Sequence, residues 1–307
     1  MTGGRTTVGR GSLATGGPRA LVAAQLGFEG MPARLYACTP TRLATWLDCP
    51  RRYRFAYLDR PAPAKGPPWA HNSVGASVHN ALAAWWRLPR RARTPPRAAA
   101  LLAGGWLPEG FRDDAQSALW RGRAASMVER YTERLDPDDE PVGVERTVAA
   151  RTAVVALSGR VDRLDVRRDS DGGEQVVVVD YKTGRRPPTP DDARGSLALA
   201  IYAVAAGRVL RKRCRRVELH HVPTGSVVAH EHAEESLRRH LRRAESIASE
   251  ASTADAVYRA GLPPERLDSH FPPRPGPLCG WCDYAKSCPE GAAAAPRREP
   301  WEGLGAA

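Results

Sequence analysis

Asp162, Asp180 and Lys182 are the residues of this 307-residue chain whose types and spacing lend themselves most readily to chemistry. The β-branched runs over 152–166 and 175–182 flank an Asp-Ser-Asp-Gly-Gly stretch, which predicts an antiparallel hairpin. With its turn centred on Asp171, Asp162 faces Asp180, Leu164 faces Val178 and Val166 faces Val176. Facing side chains stand about 5 Å apart at Cβ, and period-2 alternation adds Lys182 to the carboxylate face. Such a pair calls for a hard divalent cation, Mg²⁺ or Mn²⁺, which polarises a phosphoryl oxygen and lowers the pKa of bound water. The lysine ammonium can then orient or deprotonate that water, or stabilise charge as it forms. Lysine is rare here, 4 of 46 basic residues, so its presence at this spot points to a compact point charge. The competing reading is structural: two strand-end aspartates paired with Arg160, Arg163 or Lys182.

A second constellation is Cys279-x₂-Cys282-x₅-Cys288, which packs three of the chain's six cysteines into ten residues. Three soft ligands leave a metal site one short, and Cys38, Cys49 or Cys214 must complete it. Cys49 is preferred because proline follows it, as it does Cys288, and Cys-Pro recurs in iron–sulfur ligation. Spacing alone leaves zinc and iron both open.

The elements that must position these residues divide the chain. Residues 1–35 read as a disordered tail. Residues 36–135 read as helical, with a Thr39-Pro40 start, an end near Cys49-Pro50, a helix capped by Asn72 or Ser73 that carries His79, an Arg/Pro/Ala-rich connector over 89–110, and a helix over 114–135. Strands begin near Val142. Residues 142–262 form the sheet core, which holds Glu145 as a weaker acidic candidate, a helix over 197–209, strands over 217–222 and 226–231, and a helix over 234–259. The cysteine segment spans 263–290, and 291–307 read as a second disordered tail. The fold class is mixed α/β.

The formal charge is 46 − 34 = +12, and residues 36–100 alone hold eleven basic against two acidic side chains. Within that stretch Arg51, Arg52 and Arg54 alternate with Tyr53, Phe55 and Tyr57, a pattern suited to phosphates and stacked bases, so DNA is the expected partner. No 20-residue apolar run, secretory signal or G-x-x-x-x-G-K-[ST] pattern occurs; a cytoplasmic protein with no membrane partner and no ATP-driven motor is expected.

Four ordered motifs, Thr39 to Tyr53, Gly75 to His79, Gly159 to Arg163 and Val179 to Gly184, resemble those of the PD-(D/E)XK nuclease superfamily, and within it the RecB-like exonuclease domains. The resemblance spans roughly residues 38–290. It implies a restriction-endonuclease-like core with a central mixed sheet flanked by helices. It also implies a metal-dependent deoxyribonuclease serving DNA repair or recombination, with Asp162, Asp180 and Lys182 catalytic and His79, Asp162, Asp180 and the Tyr181 carbonyl on the metal. Tyr202 matches the tyrosine of the family's Gln-x-x-x-Tyr helix, which places DNA, although Ala198 stands where the glutamine would be. RecB-like nucleases often hold a [4Fe-4S] cluster on one cysteine before the core and three after it, which implies Cys49, Cys279, Cys282 and Cys288. The other readings are a non-catalytic cysteine-cluster DNA-binding or scaffold protein, and a nuclease subunit of a repair or CRISPR adaptation complex whose unwinding comes from a helicase partner.

Overall fold

In the computed structural model the described residues are residue 1, 35–168 and 172–305; the tail expected over 1–35 and the tip of the central hairpin fall almost wholly outside them. The fold is that of the unit Leu35–Ala307. A short strand, β1 (Tyr36–Cys38), leads into α1 (Pro40–Asp48), where the Thr39 hydroxyl accepts from the Arg42 N–H at 3.1 Å and Pro40 takes the first position. Cys49 ends α1 and its sulfur accepts the Arg52 N–H that opens α2 (Pro50–Tyr57). Helix α3 (Ala70–Trp86) starts ahead of the expected cap, at Trp69. The expected connector contains α4 (Pro95–Gly104), and α5 (Asp114–Thr132) follows.

The sheet then forms from β2 (Gly143–Arg151), β3 (Val155–Arg168) and β4 (Glu174–Lys182). Helices α6 (Pro190–Gly195) and α7 (Leu197–Leu210) lead to β5 (Arg213–His221), β6 (Ser226–Glu231) and α8 (Glu234–Arg259). Short helices α9 (Pro264–His270) and α10 (Pro289–Ala294) bracket the cysteine segment. The six strands make one mixed sheet in the order β1-β3-β4-β5-β6, with β2 on β3; β1–β3 and β4–β5 are parallel. This is the α/β arrangement expected.

Val176 to Val179 are wholly buried, and alternation sends them to opposite faces. Val177, Val179 and Tyr181 join α3, α4 and α5 in one core; Val176 and Val178 join α7 in another. Each such valine is worth roughly 2 kcal/mol of burial. A third core unites α1, β1 and α8 around Trp46, Tyr53 and Phe271. There the wholly buried Asp255 accepts from the Tyr53 hydroxyl at 3.0 Å and from Arg42 at 2.8 Å. The motif tyrosine is therefore a structural post.

Candidate active site

The site sits where the sheet ladder is interrupted. The β3–β4 register pairs Leu164 with Val178 and Val166 with Val176, as expected, but ends at Arg163 and Val179. Asp162 and Asp180 thus do not face one another as a strand pair, which corrects the sequence reading: Asp180 lies beside Leu219 of β5. Asp162 Oδ2 instead accepts the Tyr181 N–H at 2.8 Å, satisfying a donor that the parted strands leave open. The β2–β3 ladder also skips one pair, Glu145 with Asp162, and Glu145 has φ of 50°. A left-handed backbone at a non-glycine residue costs on the order of 1–2 kcal/mol, a strain that clusters at functional sites.

At this interruption His79 from α3, Glu145 from β2 and Asp162 from β3 bring ligand atoms within 4.8 Å of one another. His79 Nδ1 is 3.3 Å from Asp162 Oδ1. Lys182 Nζ stands 2.7 Å from Asp180 Oδ2, a buried oxygen with no well-directed hydrogen-bond donor. The sequence reading grouped Asp162, Asp180 and His79; the tight trio has Glu145 in place of Asp180, which is set back on the lysine. Burial alone would lower the His79 pKa, but Asp162, Asp180 and Glu145 outweigh it and the net shift is upward. Burial, followed by the Asp162 charge, raises Glu145. Burial also raises Asp180, against the pull of Lys182. Carboxylates this costly to ionise together, with an imidazole among them, are a donor set that a divalent cation fits.

Two motif glycines set the walls. A Cβ on Gly75 would stand 3.2 Å from Thr183 Oγ1, a tight contact at the point where α3, which carries His79, approaches the end of β4. A Cβ on Gly159 would run into the Tyr202 ring, which packs against β3 near the carboxylates. Burial, with Asp180 and Asp162 nearby, pushes the Tyr202 phenol up to about 12, so it stays a hydrogen-bond donor. The Tyr181 ring points the other way. Its hydroxyl accepts from Trp86 Nε1 at 3.1 Å, and Arg163 lies 4.9 Å from the Trp86 ring centroid, fixing the Tyr181 backbone. Buried His221 meets the Gly184 carbonyl at 2.6 Å through Nε2 and so pins the strand end that bears Lys182. His79, Glu145, Asp162 and Tyr202 line a groove of about 850 Å³, with Trp120 and Arg185 further along it; Lys182 lines the adjoining hollow.

Cys49, Cys279, Cys282 and Cys288 line a separate cavity of about 160 Å³, and Cys279 and Cys288 sulfurs both approach the position a Gly291 Cβ would take. Cys38 and Cys214 are buried apolar-core residues, whose thiols burial pushes up to about 11 and about 12. The basic segment differs from its sequence reading. Arg51 is 7% exposed, with its guanidinium on Glu290 at 2.7 Å and Asp268 at 3.1 Å, so it joins α2 to the C-terminal segment instead of facing a phosphate. Arg54 likewise meets Asp268 and Asp59, while Arg52 is only loosely paired with Asp48. The expected tail beyond residue 290 also packs: α10 runs to Ala294, and Leu304 is buried in the first core.

A mixed sheet with Asp162 midway along β3, Asp180 near the end of β4, a lysine two residues on, and a helix-borne histidine makes a site suited to metal-dependent phosphodiester cleavage. The sequence profile of the PD-(D/E)XK nuclease superfamily matches residues 37–289. The chain belongs to that superfamily and is a metal-dependent nuclease. A search of curated proteins gives no match. No helix among the described residues is long and apolar enough to cross a membrane.

Proposed function

We propose that the chain is a RecB-like deoxyribonuclease of DNA repair or recombination, acting from DNA ends and carrying a structural [4Fe-4S] cluster. The observation that carries the catalytic part is the convergence of His79, Glu145 and Asp162 beside the Asp180–Lys182 pair in an open groove. His79, Asp162, Asp180 and the Tyr181 carbonyl, joined by Glu145, would hold Mg²⁺ or Mn²⁺, which supplies Lewis-acid charge and a more acidic bound water. Lys182, about half exposed, orients the attacking water or stabilises the charge that forms on the phosphate. Tyr202 donates to the strand that enters the groove, and exposed Arg160 and Arg185 offer it phosphate contacts. The test is hydrolysis of end-labelled linear DNA against covalently closed circles, with Mg²⁺ or with chelator. Metal-dependent release of nucleotides from linear DNA alone is the expected result; cleavage of circles would remove end dependence, and inertness in every metal would favour a scaffold.

The cluster reading is supported by four cysteines around one cavity, and the choice of iron over zinc rests on the resemblance to RecB-like nucleases. Without a phosphate-loop pattern, any unwinding falls to a separate helicase partner.

A further inference from the structure

Far along the sheet from the carboxylates, three histidines meet at its free edge. His230 is on β6, and His232 follows it, its N–H donating to the Arg215 carbonyl at 3.0 Å and so extending the ladder. Two positions apart, with Glu231 between them, both rings share the face of Val228, which packs against the α7 core. His240 projects from α8. The His230 and His232 ring centroids are 4.5 Å apart and those of His232 and His240 are 5.4 Å apart, each pair nearly perpendicular.

The carbonyl partner fixes the His240 tautomer, and the hydrogen bonds of the cluster leave one ring nitrogen open on each of His232 and His240. His232 is 1% exposed; its Nδ1 meets Ser236 Oγ at 3.0 Å, and its buried Nε2 has no hydrogen-bond partner. A protonated Nδ1 donating to Ser236 leaves Nε2 as a bare acceptor. His240 Nε2 lies 3.2 Å from the Arg194 carbonyl of α6, a contact it makes as donor, so its Nδ1 is the bare nitrogen. Holding one imidazole nitrogen as a donor while the other stays open is the arrangement of metal-ligating histidines. An unmet polar atom this deeply buried destabilises the fold unless something fills it. Burial, with His230 and His240 nearby, pulls His232 down to about 4, so its ring is neutral at physiological pH.

We propose that His230, His232 and His240 form a second metal site that takes a borderline transition ion, Zn²⁺, Ni²⁺ or Cu²⁺, and ties the edge strand to α8 and α6. The donors are nitrogen only. The neighbouring carboxylates Glu234 and Glu235 are engaged by Arg238 and Arg242, and the charges acting on His240 are Arg243 and Arg239. A hard ion such as Mg²⁺ gains nothing there, which separates this site from the catalytic one. The three nitrogens stand further apart than the ligand atoms of the His79 trio, and the partly exposed His230 ring is the one that turns on binding.

The test is a zinc titration of the intact, chelator-washed protein in excess Mg²⁺, comparing wild type with H230N and H240N, whose rings are partly exposed, and with H232Q. Wild type is expected to bind one zinc that each variant binds at least about 10-fold more weakly, with unchanged circular dichroism and iron content, and zinc X-ray absorption should show a nitrogen and oxygen shell without sulfur. An affinity indifferent to H230N and H240N, or a sulfur shell, would overturn the site.

Discussion

Asp162 is held at both oxygens, by the Tyr181 N–H and by His79, while among the described residues Asp180 is paired with the lysine. Asp162→Ala, Asp180→Ala and Lys182→Ala should each cut hydrolysis by about 100-fold or more, with DNA binding in EDTA within a few fold of wild type. Gel-shift and turnover assays on the same preparations check this, and full activity in any of the three would remove that residue from the site. Glu145→Gln belongs with them: a weaker metal requirement, read as a higher Mg²⁺ concentration at half-maximal rate, is expected. The aspartates and the lysine were legible from spacing and His79 from its motif. Glu145 was visible only as a weak candidate, because a left-handed residue in a strand leaves no mark on a β-branched pattern. A different residue sets the acid response. Burial would raise Glu218, but His220, Arg216 and Arg167 outweigh it and bring its pKa from 4.5 to about 2. A depressed folded pKa stabilises above the unfolded value, and that contribution is lost as pH falls from about 4.5 towards 2. The span amounts to roughly 3 kcal/mol. Glu218→Gln should therefore be less stable at pH 7 and lose less between pH 7 and pH 3; urea unfolding at both values checks it, and parallel losses would contradict it.

At the scale of elements, the active site depends on two close approaches, α3 on the end of β4 at Gly75 and α7 on β3 at Gly159. Gly159→Ala drives a methyl group into the Tyr202 ring, an overpacking worth about 1–3 kcal/mol. Gly159→Ala/Tyr202→Ala should recover part of the stability lost by Gly159→Ala, because the clash is gone, but not the activity. Thermal melts and turnover of the two singles and the double give the coupling, and strictly additive losses would show that the ring and strand do not meet. Most elements could be read in advance: β6 and α8 lie where the alternating and helical periods put them. β1 escaped because three residues carry no period, and α4 because its Pro-Pro start and Arg/Ala composition resemble a linker. The break of the ladder at Asp162 escaped as well, since side-chain pattern fixes register but not where two strands part.

Across the whole molecule, Cys49 and the C-terminal cysteines line one cavity, so the cluster proposed there would close a loop around the entire catalytic core, which the Arg51 ion pairs to Glu290 and Asp268 already close. Ligand binding there becomes folding energy. Cys282→Ala should lose iron, brown absorbance and thermal stability together, whereas Asp180→Ala loses activity and keeps all three; a Cys282→Ala protein that melts like wild type would refute the staple. Arg51→Ala should lower stability modestly, since it removes two ion pairs whose carboxylates are about half exposed, with little effect on the salt dependence of DNA binding. An arginine beside aromatics looks the same in sequence whether it meets a phosphate or a distant carboxylate, which is why Arg51 was misread. The packing of residues 291–305 was hidden for a related reason: Leu304 finds its core only once α3 is in place. The central claim is that the groove is a metal-dependent DNA-cleaving site built on His79, Glu145, Asp162, Asp180 and Lys182. Its most direct test is nucleotide release from end-labelled DNA by anaerobically purified protein, wild type beside Asp180→Ala, with Mg²⁺ or Mn²⁺ and with EDTA. Release by wild type with metal, absent in EDTA and in Asp180→Ala, is the predicted result; release that survives either EDTA or the substitution would contradict it.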